Sequence, residues 1–191
     1  LQVNIIVPDR ILTIENFCSS EECAHFIRLS EEIGYAAASV TTRSGQEMHP
    51  DIRNNSRVNL EDAGLAETMW QRVQPFAPSP LFRREAIGLN ERWRFYRYEA
   101  GQTFKQHRDG SVRRENGERS QVTFMIYLNE DVEGGETRIQ LLNSPEVAAI
   151  SPRTGMALLF LYNLLHEGAP VLGGRKYVLR SDIMYSALPA L

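Results

Sequence analysis

The chain has 191 residues, 42% of them hydrophobic and 24% charged, and its 21 basic against 24 acidic side chains leave a formal charge of −3. Length and composition of this kind describe one soluble globular domain able to bury its own core. The near-neutral balance gives no electrostatic case for nucleic acid or an anionic membrane as main partner, and no apolar run approaches the roughly 20 residues that span a bilayer.

The opening LQVNIIVPDR lacks the basic segment and long apolar stretch of a signal peptide. Residues 10–17 alternate as a strand would. Ser19 and Ser20 then offer helix caps, with Glu21 and Glu22 suited to a first turn, so a helix is expected to about Glu32, ending before Gly34. Cys18 and Cys23 lack metal-knuckle spacing and a second pair, which predicts neither a disulfide framework nor a zinc site and points to a reducing, cytoplasmic setting. Residues 37–57 read as a polar, extended excursion over the surface, with a turn over residues 41–46. Leu65, Met69, Trp70 and Val73 fall at helical spacing until Pro75 stops the pattern. Strand-like segments follow at residues 91–98, 121–128, 136–141, 155–162 and 174–186, separated by glycine-containing turns. Helices first and many short strands after predict an α+β, mainly β chain with a sandwich or barrel core.

Four histidines are present. His25 and His49 have no acidic or histidine partner at ligand spacing and read as helix or surface residues. His107 differs, because Asp109 lies two residues on and side chains at i and i+2 of an extended backbone point the same way. With His166 beyond the next strands, two imidazoles and one carboxylate make the ligand set of the facial triad of non-heme Fe(II) oxygenases, which leaves coordination positions open. The pair alone is weak, since an exposed loop could carry it by chance.

The surrounding blocks strengthen it. Residues 98–109 (YEAGQTFKQHRD), residues 122–137 (VTFMIYLNEDVEGGET) and residues 166–177 (HEGAPVLGGRKY), in that order, resemble the prolyl 4-hydroxylase-like branch of the Fe(II)/2-oxoglutarate dioxygenases, as does the opening IENFCSSEEC. The resemblance covers roughly residues 10–186. It implies a double-stranded β-helix, a cupin-like jelly roll, over about 90–187, with a helical N-terminal part over about 10–80 packed on one sheet, all within a single domain of residues 1–191. It implies Fe(II) on His107, Asp109 and His166, and 2-oxoglutarate as co-substrate with O2, ascorbate being a candidate stimulant. Lys176 matches the family's basic residue for the distal carboxylate of 2-oxoglutarate. Tyr98 and Thr137 match positions beside that co-substrate. Arg180, four residues along the same strand face as Lys176, is a second donor or a rival anchor, since a guanidinium is the better carboxylate fork. Arg94 and Tyr96 share the face of Tyr98 and are candidate substrate residues, with a polar outer face as the equally weighted reading. Residues 41–55 and 110–119 are expected to form the rim of the cleft.

The implied reaction is hydroxylation of a C–H bond of a peptidyl substrate, a proline among the options, or of a free small molecule, with release of succinate and CO2. A buried Arg94 would favour a small acid, and an open groove along residues 40–57 a peptide. A cupin-type metalloenzyme that uses no 2-oxo acid, and a non-catalytic binding module, remain as alternatives. No feature bears on oligomeric state.

Overall fold

The computed structural model describes residues 1–42 and 44–188, without the side chains of Thr41 and Thr42; the turn expected over residues 41–46 includes Arg43, outside the described residues. A hairpin of β1 (Gln2–Val7) and β2 (Ile11–Glu15) leads into α1 (Ser20–Ile33). The short strands β3 (Ala36–Ala37), β4 (Val40–Thr42) and β5 (Gly45–Glu47) precede β6 (Ser56–Glu61) and α2 (Ala63–Val73), which ends in a 3-10 turn, Gln74–Phe76. Next come β7 (Ala86–Leu89), β8 (Arg92–Tyr98), β9 (Phe104–His107), β10 (Arg119–Tyr127), β11 (Val132–Gly134) and β12 (Thr137–Gln140). The chain closes with β13 (Val147–Ile150), β14 (Ala157–Leu161), β15 (His166–Gly168), β16 (Val171–Gly174) and β17 (Lys176–Tyr185). The five strands expected from alternation are β8, β10, β12, β14 and β17. None of the helices among the described residues is long and apolar enough to cross a membrane.

The strands form a jelly roll. The large antiparallel sheet runs β1-β2-β14-β10-β17-β8-β6-β3, with β7 on the far half of β17, and the small sheet runs β13-β12-β15-β9. β17 is buried along its whole length, so it reads as a continuous run rather than an alternating one. Trp93 and Phe95 point to one face of the large sheet, where Phe26 of α1 lies against Phe95, ring centroids 6.4 Å apart, and the Trp93 indole donates to the Asp62 carbonyl at the start of α2. Each such apolar side chain contributes about 1.5–3 kcal/mol on burial. On the other face Arg94, Tyr96 and Tyr98 of β8 and Lys176 and Arg180 of β17 look toward the small sheet. Between the sheets Ile139 and Ile150 of the small sheet join the buried apolar core, and polar links accompany them: the Tyr127 hydroxyl donates to Thr137 Oγ1 at 2.6 Å, and Lys176 Nζ to the Gly135 carbonyl, just before β12, at 2.6 Å.

The helix ends follow the local chemistry. Ser19 closes a capping box with Glu22, each side chain accepting from the other's backbone N–H, and Gly34 takes the positive φ of 94° that stops α1. Asp62 caps α2 by accepting from Leu65 N at 2.8 Å. One expectation needs correction. Residues 37–57 are not a surface excursion throughout: Arg53 and Asn55 are buried, and β6 pairs with β8 from Ser56↔Arg97 to Glu61↔Arg92. The segment is drawn in because β8 would otherwise leave its backbone edge unpaired.

Candidate active site

The metal-ligating side chains come together at the end of the small sheet. His107 ends β9 and His166 begins β15, and the two are direct cross-strand partners. Asp109 follows β9 in a loop held by its own N–H, which donates to the Tyr162 carbonyl at 2.9 Å. One ligand atom from each of the three residues lies within 4.8 Å of the others. His107 Nε2 is 3.7 Å from Asp109 Oδ1, and His166 Nε2 is 3.5 Å from Oδ2. Separations of this size are close enough for the three side chains to hold one ion between them.

The neighbours of the triad fit a divalent metal. His107 Nδ1 lies 2.8 Å from the Lys105 carbonyl and His166 Nδ1 2.9 Å from the Leu164 carbonyl. A carbonyl only accepts, so each Nδ1 carries the proton and each Nε2 presents a lone pair to the ion. Burial, and then the neighbouring His166, push the His107 pKa down to about 3, which keeps it a neutral ligand. Burial alone would raise the Asp109 pKa, but Arg180 and the two histidines, with the Thr123 hydroxyl donating at 2.7 Å, hold it well below the usual carboxylate range. Two imidazoles and one carboxylate are a donor set that suits Fe(II).

Beside the triad, a recess between the sheets is lined by Tyr96, Tyr98, Met125, Thr137, Lys176 and Arg180, among others. Lys176 is 2% exposed and has no carboxylate within ion-pair distance among the described residues, Glu136 acting on it only from farther off. Its ammonium also lies 5.1 Å from the Tyr98 ring centroid and 5.6 Å from that of Tyr127. Burial pushes its pKa down to about 8. A buried cation that lacks a counter-ion is a place for a ligand's carboxylate. The recess is narrow and shares Tyr96, Phe104, His107 and Arg180 with the outer cleft. Arg180, which lines this recess and the outer cleft, connects the two.

Arg180 lines the recess with Lys176, but its two Nη groups are engaged by carboxylates while its Nε is buried without a partner. Its Nη1 donates to Asp109 Oδ1 at 2.6 Å and its Nη2 to Asp182 Oδ1 at 3.1 Å, because two buried carboxylates compete for it. Asp182 also accepts from Arg94 at 2.9 Å. Arg94 and Tyr96 line the outer cleft, a cavity of about 680 Å³ that opens from the triad. Both expected rim segments reach it, the first through His49, Ile52 and Arg53, the second through residues 110–112. His49, expected as a bland surface residue, is therefore a cleft residue, its Nε2 3.0 Å from the Glu47 carboxylate. Arg53, Arg57 and Asp182 were missed by sequence reasoning. The apolar company of Asp182 in β17 was the one available signal; Arg53 and Arg57 lie in a polar stretch with no local mark.

Comparison with known proteins places this geometry. The model of the 2OG-Fe(II) oxygenase superfamily matches residues 93–181, from β8 to β17. Prolyl 4-hydroxylase 1 of Arabidopsis thaliana is 25% identical over 88% of the chain, and probable prolyl 4-hydroxylase 3 of the same plant 26% identical over 88%. The chain spans 66% and 67% of the length of these two relatives. Among solved structures, a Pseudomonas putida prolyl-4-hydroxylase superposes with a TM-score of 0.69 at 19% identity, covering 91% of each chain. A Trichoplax adhaerens prolyl hydroxylase, solved with a hypoxia inducible factor peptide fragment, gives 0.69 at 17% identity over 92% of this chain and 84% of that one. These two likenesses speak for the jelly-roll fold. With the family match running through all three ligand positions, the chain is similar to the 2OG-Fe(II) oxygenase superfamily over β8 to β17 and resembles the prolyl 4-hydroxylases within it.

Proposed function

We propose that the chain is an Fe(II)- and 2-oxoglutarate-dependent dioxygenase that hydroxylates a C–H bond. The observation that carries the proposal is the juxtaposition of the His107–Asp109–His166 triad, both Nε2 lone pairs free to bind metal, with the buried and unpaired ammonium of Lys176. When bound, iron with 2-oxoglutarate supplies the power to place one oxygen atom of O2 on carbon, releasing succinate and CO2. The chain's own residues position and exclude. His107, Asp109 and His166 would hold the metal. Lys176 would pair the distal carboxylate of 2-oxoglutarate, with Tyr98 and Thr137 walling the recess. Arg180 and Thr123 hold the Asp109 carboxylate in one orientation. The outer cleft would take the substrate, with Arg94 and Tyr96 on its wall. Relatives named as prolyl hydroxylases, one of them seen with a peptide, support a peptidyl substrate; a free small molecule is the other class.

We also place the protein in a reducing, cytoplasmic setting, on the free buried thiols of Cys18 and Cys23. Ascorbate enters the proposal as a stimulant that keeps iron reduced. The test is succinate release from 2-oxoglutarate by the iron-loaded protein, with and without ascorbate, against a panel of peptides, amino acids and metabolites. Succinate release that depends on iron, O2 and one panel member supports the reading. Failure of 2-oxoglutarate to bind the metal-loaded protein favours a cupin-type enzyme without a 2-oxo acid.

A further inference from the structure

We propose that the outer cleft binds a carboxylate, so that the substrate is a small organic acid whose carboxylate rests on Arg53 and Arg57 while another part of it reaches the triad. The inference rests on the oxygenase reading and names its substrate class.

Arg53 is 4% exposed and lines the cleft beside the triad. Its guanidinium is stacked between two rings, 4.7 Å from the Tyr96 centroid and 4.3 Å from that of Phe104. That sandwich fixes the plane of the fork. Nε is used by Asn55 Oδ1 at 2.7 Å, while Nη2 is buried without a hydrogen-bond partner. No carboxylate pairs with Arg53 among the described residues. A guanidinium desolvated, oriented and left with an unused donor is costly unless a ligand completes it.

Arg57 lines the same cleft, its Nη2 donating to Ser39 Oγ at 3.2 Å. Burial lowers its pKa, as do the positive charges of Arg53, Arg92 and Arg94. A guanidinium weakened by like charges gains most from an arriving anion.

The charge balance agrees. Arg53, Arg57, Arg94 and Arg180 face the cleft, against the buried carboxylates Asp109 and Asp182, an excess of two positive charges. Arg108 adds another cation at the rim, and the rim carboxylate of Glu47 is already held by His49. A divalent metal and Lys176 outweigh the dianionic co-substrate by one charge, so they leave this excess for the substrate. A neutral peptide would leave it buried and uncompensated. A carboxylate meets it with charge-assisted, forked hydrogen bonds.

The test uses the full chain loaded with Mn(II), as a redox-inert surrogate, and saturated with 2-oxoglutarate. The probes are the N-acetyl derivatives of the twenty amino acids, each as free acid and as carboxamide, titrated calorimetrically. At least one acid is expected to bind about ten- to a hundredfold more tightly than its own carboxamide. Arg57→Gln should remove most of that difference, weakening the acid far more than the carboxamide. Arg53→Lys, which keeps the charge but not the fork, should remove part of it; Arg57 is half-buried, so its variant keeps the test open where changes at Arg53 disturb folding. If no acid outbinds its carboxamide, or the preference survives Arg57→Gln unchanged, the proposal is overturned. If Mn(II) and 2-oxoglutarate themselves fail to bind, it is the oxygenase reading that falls.

Discussion

Lys176→Met separates what Lys176 does for the fold from what it does for the ligand. The ammonium is 2% exposed, and its one hydrogen bond is to the Gly135 carbonyl at 2.6 Å. A pKa lowered from 10.5 to about 8 means that the fold disfavours the charge, by about 3 kcal/mol below pH 8. Met has similar length and no charge, so the substitution relieves that penalty. It forfeits the bond to Gly135, about 1–3 kcal/mol with a carbonyl left unpaired. The ligand-free variant should therefore melt at or a few degrees above the parent temperature. Binding should move the other way, because a carboxylate buried without its cation loses about 2–5 kcal/mol. That is a rise in the 2-oxoglutarate Kd of roughly thirtyfold to several thousandfold. The assay is calorimetric titration of 2-oxoglutarate into Mn(II)-loaded protein, alongside thermal melts. A Kd within threefold of the parent, in a variant that melts normally and holds its metal, refutes the assignment of Lys176 as anchor.

Three further outcomes are expected. The 2-oxoglutarate Kd should stay level up to about pH 7.5 and weaken about tenfold per unit above pH 8, because Lys176, with a pKa of about 8 before binding, must then take up a proton to pair the carboxylate; a level profile to pH 9.5 contradicts this. Gly155→Ala should cost about 3 kcal/mol or more in urea unfolding, since the residue has φ +76° and a Cβ there runs into the Cys18 carbonyl oxygen; an unchanged midpoint would remove the steric argument. Ser19→Ala breaks the capping box of α1 and should cost about 1 kcal/mol, whereas Ser20→Ala, one residue inside the helix, should cost less.

The sequence carried the chemistry better than the cavity. The His107–Asp109 pair was legible because period-2 alternation is local, and His166 because a resemblance supplied its block. Their direct pairing across β9 and β15 was not, since register between strands far apart in the chain leaves no local trace. The helices were readable from Ser19, Gly34 and Pro75, residues whose backbone effects do not depend on the rest of the fold. Alternation found β8, β10, β12, β14 and β17 but passed over short strands such as β9 and β15, with four and three residues, too few to show a period. Arg180 looked like a partner of Lys176 because spacing gives a shared face. It does not give the carboxylate of Asp109, 71 positions away, that takes the guanidinium. Arg53 and Arg57 were hidden for the same reason: only the pairing of β6 with β8 turns a polar stretch into a cleft wall.

The most direct test of the metal assignment is anaerobic Fe(II) titration with metal analysis on the parent chain and on His107→Ala, Asp109→Ala and His166→Ala, each also titrated with 2-oxoglutarate. The account predicts one Fe(II) per chain in the parent, loss of tight binding in all three variants with their folds intact, and 2-oxoglutarate binding that strengthens when iron is present. Stoichiometric iron retained by both His107→Ala and His166→Ala would contradict it.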